Sequence, residues 1–408
     1  MIAPKWRLCS LLFLATVLNY LDRQTVSVLA PVMQKEMGLD NVALGRIFSA
    51  FYYAYTGCQL VSGLTLDRVN LRWAFGAAVL AWSVVSALTG LASGFVSLLV
   101  FRLLLGAMES ANWPGAIRIV SRSFERRERA LGNGIFTSGS SVGALIAPVL
   151  IVGISSAFGW RWAFVGIGSL GIIWFAGWVL STQSRDLAPI WRDPSGARRG
   201  QPLWAGALAI VRSPQFVPVL LVAILVNPCM YFSVNWLPTY FAQQRHLALG
   251  NKMAWILTAI YLGIDLGNIG CGVGILALTR RGFSISDARR AMFLLATAAV
   301  ACCAAVPLLP LRSAVFALVA VNFGTGIWTA MYLTMAQEVS PANPSTSIGI
   351  LSGCGSLAGA WAMTAVGKIT QSTGSFSIPM QMVAMAAVLA AIAGWFVRVE
   401  ANEGKALV

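Results

Sequence analysis

The chain of 408 residues is 58% hydrophobic and 11% charged, carries a net charge of +15, and has a mean hydropathy of +0.75. So little charge cannot clothe a soluble protein of this length, so much apolar residue excludes disorder, and seven cysteines exclude a disulfide scaffold. What remains is a polytopic membrane protein, whose apolar runs are solvated by lipid or by each other.

Lys5 and Arg7 precede the first apolar run. That run lacks a small-residue cleavage site and outlasts a signal peptide's apolar stretch, so it reads as an uncleaved first span. Further spans of about 20 residues follow it. The first six fall near 8–31, 43–66, 72–93, 95–121, 130–155 and 161–181. Six more fall near 214–242, 253–278, 289–309, 313–336, 345–369 and 378–398. Pro31, Pro114, Pro148, Pro228 and Pro238 sit inside these runs, which membrane helices tolerate because neighbours satisfy the freed backbone groups. The fold class is therefore all-α, with twelve transmembrane helices in two six-helix halves. The halves are residues 1–181 and 213–408, and the Arg-, Pro- and Gly-bearing stretch 182–212 is a cytoplasmic linker between them.

With the N-terminus inside, nineteen of the 29 Lys and Arg residues fall on the cytoplasmic side, seven outside and three within spans. The bias predicts a multi-pass membrane protein with both termini cytoplasmic. It also explains the positive charge as topology, and no basic stretch interleaved with aromatics points to nucleic acid. The cysteines lie in or beside apolar segments with no metal-ligand spacing, so they read as small buried hydrophobes and no metal is expected. Gly134–Gly159 aligned without gaps on Gly349–Gly374 keeps six identities in 26 positions. This faint repeat fits two parallel halves around a site midway through the bilayer.

Six ionisable residues stand inside predicted spans: Asp22, Arg23, Arg102, Glu109, Arg118 and Asp265. Each costs roughly 2.5–3.5 kcal/mol at mid-bilayer if unpaired, so mutual pairing around a polar cavity is expected. Static pairing between helices is the alternative, with most force for Arg118 and Asp265 near span ends. Arg102 and Glu109 are seven residues apart, share one face, and stand roughly 10 Å apart along the axis. They point into one cavity at two depths, and Pro114 predicts a kink just beyond Glu109. Asp22 and Arg23 are adjacent, diverge by about 100°, and must face different partners. A carboxyl group in such a place is a candidate proton carrier, and an arginine suits a bidentate carboxylate substrate. Tyr20 shares a face with Arg23, and Tyr52 and Tyr55 are likewise three apart. A phenol suits a polyhydroxylated ligand; a tyrosine at the membrane interface is the alternative, chiefly for Tyr52. His246 falls in a predicted outer loop, where solvation alone accounts for it.

The segments NYLDR (Asn19–Arg23), GLTLDR (Gly63–Arg68), ESANWPGAIR (Glu109–Arg118) and RERALGNGIFTSGSSVG (Arg127–Gly143) resemble the major facilitator superfamily. More narrowly the chain resembles the anion:cation symporter family, which includes bacterial hexuronate and D-galactonate transporters. The likeness continues in WLPTYF on span 7, DLGN on span 8 and TGSF after span 11. The superfamily's loop between spans 2 and 3 reads G-x-x-x-D-R-x-G-R-R. Here Gly63, Asp67, Arg68 and Arg72 match it, while Asn70 and Leu71 depart. This loop implies a conformational latch, in which Asp67 caps a helix N-terminus and pairs with arginine. The corresponding loop of the second half has Leu276 where the acid is expected.

Carried over residue by residue, the resemblance implies that Asp22 and Glu109 are the proton-coupling sites. It implies that Tyr20, Arg23 and Tyr55 contact an anionic substrate and that Arg102 tunes the acids beside it. Ser140 and Ser352 stand where the galactonate transporter has Gln and Asn, and both shorten polar side chains that would read sugar hydroxyls. The expected function is proton-coupled symport of an organic anion by alternating access. A sugar acid (hexuronate, aldonate or aldarate) is the first choice, and an aromatic or short dicarboxylate the second. Protons are the coupling ion, with no other cofactor; a monomer in a lipid bilayer is expected. A uniporter, exchanger or efflux carrier of another small organic anion is the alternative on the same fold. An enzyme or sensor has no support: there is no HExxH, no intramembrane Ser/His or paired-Asp constellation, and no nucleotide loop.

Overall fold

A computed structural model describes residues 4–66, 69–125, 128–184, 187–191, 208, 210–340 and 344–397. Among the described residues every regular element is helical. Twelve long helices follow in chain order. The first six are α1 (Pro4–Met37), α2 (Asn41–Leu66), α3 (Leu71–Thr89), α4 (Phe95–Ser123), α5 (Arg129–Phe158) and α6 (Trp160–Ser181). The second six are α7 (Phe216–Gln244), α8 (Asn251–Arg280), α9 (Ile285–Leu308), α10 (Leu311–Glu338), α11 (Pro344–Thr373) and α12 (Ser377–Trp395).

Ten of these are long and apolar enough to cross a membrane on length and composition alone, and α1 and α2 are not among them. The reason lies in mid-helix. Asn19, Asp22, Gln24 and Thr25 of α1 and Ser49, Tyr52 and Tyr55 of α2 are all buried. Polar groups at membrane depth must meet other protein groups instead of lipid, so these two helices fall short on composition because part of the polar interior is theirs.

Contacts divide the chain into two compact units. The first holds α1–α6 with Tyr231–Leu262 of α7 and α8 and Gly359–Ile378 of α11 and the start of α12; the second holds α9, α10 and the remainder of α7, α8, α11 and α12. Within the first unit α1 packs on α5, α2 on α4, and α3 on α6. Close approach is permitted by small residues, as is usual for helices in lipid. A Cβ at Gly143 of α5 would lie 2.7 Å from the Val17 carbonyl oxygen of α1, and one at Gly106 of α4 would collide with the Phe51 carbonyl of α2.

The expected kink in α4 is present as a break. Helix runs over Phe95–Glu109 and resumes over Asn112–Ser123. Pro114 has no N–H to offer the Ser110 carbonyl, and its ring crowds that carbonyl. Glu109 is thereby left on the last helical turn before the break. Of the loop motif, Asp67 and Arg68 lie outside the described residues, and Gly63 falls within α2. Arg72 ties the start of α3 to the end of α6, its Nε donating to Thr182 Oγ1 at 2.9 Å and its Nη2 to the Val179 carbonyl at 3.2 Å. In the second unit α9 tightens to a 3-10 helix over Cys302–Leu308, which contains Pro307.

At the opposite end of the first unit, Glu36 closes α1 against the start of α6. It accepts from Trp160 Nε1 at 2.6 Å and pairs with Arg161. These donors, Arg161 first, hold the Glu36 carboxyl below its ordinary value of 4.5. A lowered folded-state value means the contact stabilises fully above the unfolded value and is lost as pH falls through the folded one. Glu36→Gln should therefore lower Tm slightly near neutrality, since both partners are 45% exposed. The difference from wild type should vanish on acidification below pH 4.5, as read by thermal unfolding in detergent. A gap that persists in acid would show that the ion pair is not its source.

Candidate functional site

Four charged side chains converge in the first unit, two acids and two arginines. Their residual exposure ranks them. Glu109 is 0%, Arg102 1% and Asp22 2% exposed, while the Arg23 side chain keeps 15%. Arg23 Nε donates to Glu109 Oε2 at 2.7 Å. Its guanidinium also lies 5.2 Å from the Tyr20 ring, 5.1 Å from Phe51 and 4.5 Å from Tyr55. Aromatic faces and one carboxylate are what a weakly hydrated planar cation accepts in place of water.

Asp22 faces away from Arg23, as adjacency on a helix requires. It accepts a hydrogen bond from Ser86 of α3. Arg102 also stands over the Phe51 ring, 4.4 Å from its centroid. Its Nε and Nη1 have no hydrogen-bond partner among the described residues, and both Asp22 and Glu109 act on it electrostatically. The guanidinium thus feels two carboxyl groups without forming a close ion pair with either. Charge balance inside the bilayer is met by the cluster as a whole, two positive against two negative.

The two tyrosines of α2 have separate settings. Tyr55 flanks Arg23. Tyr52 is buried, stacks on Tyr231 of α7 with ring centroids 3.9 Å apart, and accepts from Asn235 Nδ2 at 3.0 Å. That setting is interior, so the membrane-interface alternative for Tyr52 falls. Ser140 of α5 lies beside the Tyr20 hydroxyl and donates to the Thr137 carbonyl at 2.7 Å. Ser352 belongs to the second unit, where its hydroxyl pairs with Tyr332 Oη at 2.9 Å. Arg118 and Asp265 are half-buried and engaged with neighbours, the first beyond the α4 break and the second on the part of α8 in the second unit. Among the described residues no group of His, Cys, Asp and Glu is arranged to hold a metal ion.

The sequence singled out Tyr20, Asp22, Arg23, Tyr55, Arg102, Glu109 and Ser140, and the first unit contains them all. It did not single out Phe51, Ser86, Tyr231 or Asn235. Phe51 stands one turn before Tyr55, and Tyr231 and Asn235 are one turn apart on α7, a spacing that marks one polar stripe. Ser86 is one serine in an apolar run and carries no such signal.

The sequence model of the Major Facilitator Superfamily matches residues 12–363. Curated relatives include the D-galactonate transporter of Escherichia coli O6:H1, 31% identical over 297 residues that cover 69% of each chain. They also include the hexuronate transporter of Bacillus subtilis, 28% identical and covering 94% of this chain and 92% of the relative. A third is the probable galactarate/D-glucarate transporter GudP of Bacillus subtilis, 27% identical and covering 91% and 87% respectively. A solved structure of a bacterial homolog to the human lysosomal transporter Spinster, inward-facing and unoccupied, superposes with a TM-score of 0.75 at 19% identity, over 97% of each chain. The nucleoside transporter NupG gives 0.74 at 12% identity, over 95% of this chain and 98% of the other. At those identities the structures establish the fold alone.

The balance of the cluster has a measurable consequence. Arg102→Met should lower Tm sharply, because removing one member of a buried charge set strands the others, at a cost of about 3–5 kcal/mol. Adding Asp22→Asn should recover part of that loss, and the double-mutant cycle should show coupling of about 0.5–3 kcal/mol. Strict additivity in thermal unfolding would mean that Asp22 and Arg102 do not share one balance.

Proposed function

The chain belongs to the Major Facilitator Superfamily and is a membrane transporter; on that premise we propose that it carries a sugar acid in symport with protons. The observation that carries the reading is the Arg23–Glu109 pair, with Arg23 the most exposed of the four charges. An incoming carboxylate and the Glu109 carboxylate compete for one guanidinium. Protonating Glu109 removes its charge and frees Arg23 for the anion; losing the anion returns Arg23 to Glu109 and expels the proton. Coupling then follows from charge balance in low dielectric, where an unpaired guanidinium is costly. Asp22 is the second protonation site, with Ser86 orienting it and Arg102 shared between the two acids.

Tyr20 and Tyr55 flank the docked carboxylate and present hydroxyls to a polyol chain. Ser140 adds a short one, which leaves more room than a longer amide would. The relatives named for D-galactonate, hexuronate and galactarate/D-glucarate support the sugar-acid class. In this proposal the six-helix halves, 1–181 and 213–408, rock about the site, and the loop with Gly63, Asp67, Arg68 and Arg72 latches one state. The Lys and Arg bias supports two cytoplasmic termini, and the bacterial relatives support the cytoplasmic (inner) membrane. No other cofactor enters the scheme, and one chain suffices.

The test is uptake by proteoliposomes of labelled D-galactonate, galacturonate, galactarate and D-glucarate under an inward proton gradient, with proton flux recorded alongside. Wild type should accumulate at least one acid with accompanying proton entry. Glu109→Gln should keep counterflow exchange yet reach only the equilibrium level. Arg23→Ala should weaken affinity by roughly 30-fold or more. Full gradient-driven accumulation by Glu109→Gln would end the proton assignment, and anion entry without proton flux would favour a uniporter or exchanger.

A further inference from the structure

We infer that Tyr231 and Asn235 of α7 are positioning residues through which the site is coupled to closure of the first unit at the α1–α2 end. The inference rests on the transport reading above and extends it to how occupancy of the site is transmitted.

One turn of α7 touches both places. On the site side, Asn235 Nδ2 donates to Tyr52 Oη at 3.0 Å, and the Tyr231 ring lies against Tyr52 with planes 13° apart. Tyr52 packs edge-on against Phe51, ring centroids 5.2 Å apart, and Phe51 underlies both Arg23 and Arg102. On the other side, the Val234 and Asn235 carbonyls accept the Ser27 hydroxyl of α1 at 2.6 and 3.0 Å. Ser27 is one turn beyond Arg23 on the same face of α1. Residues 231–235 therefore hold the binding-site aromatics with side chains and hold α1 with backbone.

Beyond that turn the same helix enters a ring of carboxamides. Gln34 Nε2 donates to Asn41 Oδ1 at 2.8 Å, Asn41 Nδ2 to Gln243 Oε1 at 3.1 Å, and Gln243 Nε2 to Gln34 Oε1 at 3.2 Å. Gln371 of α11 accepts from the Asn41 backbone N–H at 3.0 Å. Deeper, Ser49 of α2 donates to the Ala360 carbonyl at 2.5 Å and lies 2.7 Å from Thr364 Oγ1. Every one of these contacts is a neutral hydrogen bond. Neutral bonds exchange readily with water and are individually modest, so the closure is poised, and one bond at its inner edge biases it measurably.

Docking of an anion on Arg23 acts on this edge. Arg23 sits on Phe51 and Tyr55, on consecutive turns of α2, and Tyr52 lies between them in the chain. Movement of the guanidinium toward an anion shifts that row of rings and with it the Tyr52 hydroxyl. Asn235 and Tyr231 pass the shift to α7, whose carbonyls release or retain Ser27.

Spin labels on Lys35→Cys and Ala248→Cys report the α1–α2 end; both positions are exposed and belong to the first unit. Distances between them are measured by pulsed electron resonance on the full chain in nanodiscs, in a background depleted of the native cysteines. Asn235→Ala should raise the ratio of long to short distances about fivefold, the equivalent of one neutral hydrogen bond. Tyr52→Phe keeps the ring stack, removes the hydroxyl, and should do the same; it also serves if Asn235→Ala fails to fold. The two together should shift the ratio no further than either alone. Addition of whichever panel acid wild type accumulates should move the wild-type distribution and leave that of Asn235→Ala unmoved, while uptake by Asn235→Ala loses maximal rate more than affinity. An unchanged distribution, or additive shifts, overturns the inference even where wild type transports. Wild type that accumulates no acid overturns the transport reading instead, and the ligand-free distances still decide the coupling of Tyr52 to closure.

Discussion

The structure turns on one ion pair buried at membrane depth. Arg23 and Glu109 come from α1 and α4, and their 2.7 Å contact is made where lipid offers neither charge any solvation. Such a pair is tolerated only when the geometry is good and the remaining donors are occupied. The first unit's interior meets that condition in part, since Arg23 Nη2 and Glu109 Oε1 find no hydrogen-bond partner among the described residues. Three rings shield the guanidinium, Arg102 counters the second acid, and Ser86 occupies Asp22. The backbone conforms to it as well. Gly106 lets α4 approach α2 closely enough for Phe51 to serve both arginines, and the break after Glu109 frees the chain to leave that crossing.

Charge and its absence divide the first unit by role. At the centre the groups are ionic and mutually dependent, so a change in one protonation state or one ligand is felt by all. Where α1 and α2 meet α7 and α11 the bonds are neutral, from the carboxamides of Gln34, Asn41 and Gln243 to the hydroxyls of Ser27 and Ser49. The ion pairs at the helix ends are partly solvated, as with Lys5 and Glu128 at 2.8 Å. They fix helix ends at modest free energy. Strong coupling is thus confined to where it has chemical use, and the parts that must part and rejoin are held by bonds that water can replace.

How much of this the sequence discloses depends on whether a residue violates a rule of its surroundings. Asp22, Arg23, Arg102 and Glu109 are legible because an ionisable group in an apolar run is an anomaly on its face. Tyr20 is legible through helical spacing from Arg23, and the α4 break through Pro114. Phe51, Ser86 and Asn235 are ordinary residues in a membrane helix, and only tertiary placement gives them a role. Tyr52 is ambiguous in the sequence for the same reason: a phenol suits a membrane interface or a buried hydroxyl partner, and only Asn235 opposite decides. Hydropathy is misled in the same way by α1 and α2, whose polar interior makes them the least membrane-like helices by composition.

In the proposed scheme selectivity and coupling are separable. Coupling as proposed needs only a carboxylate that competes with Glu109 for Arg23, and any organic acid that reaches the guanidinium would provide one. Selectivity must come from groups that touch the rest of the ligand and carry no charge. Tyr20, Tyr55 and Ser140 are of that kind, and each offers a single hydroxyl on an otherwise apolar or small side chain. A hydroxyl rotates to donate or accept, so it discriminates less by direction than an amide with fixed donor and acceptor ends. On the proposed reading, a site built on short hydroxyls around the Arg23 guanidinium favours a class of polyhydroxylated acids over one member of it, while the proposed ionic core stays the same for all.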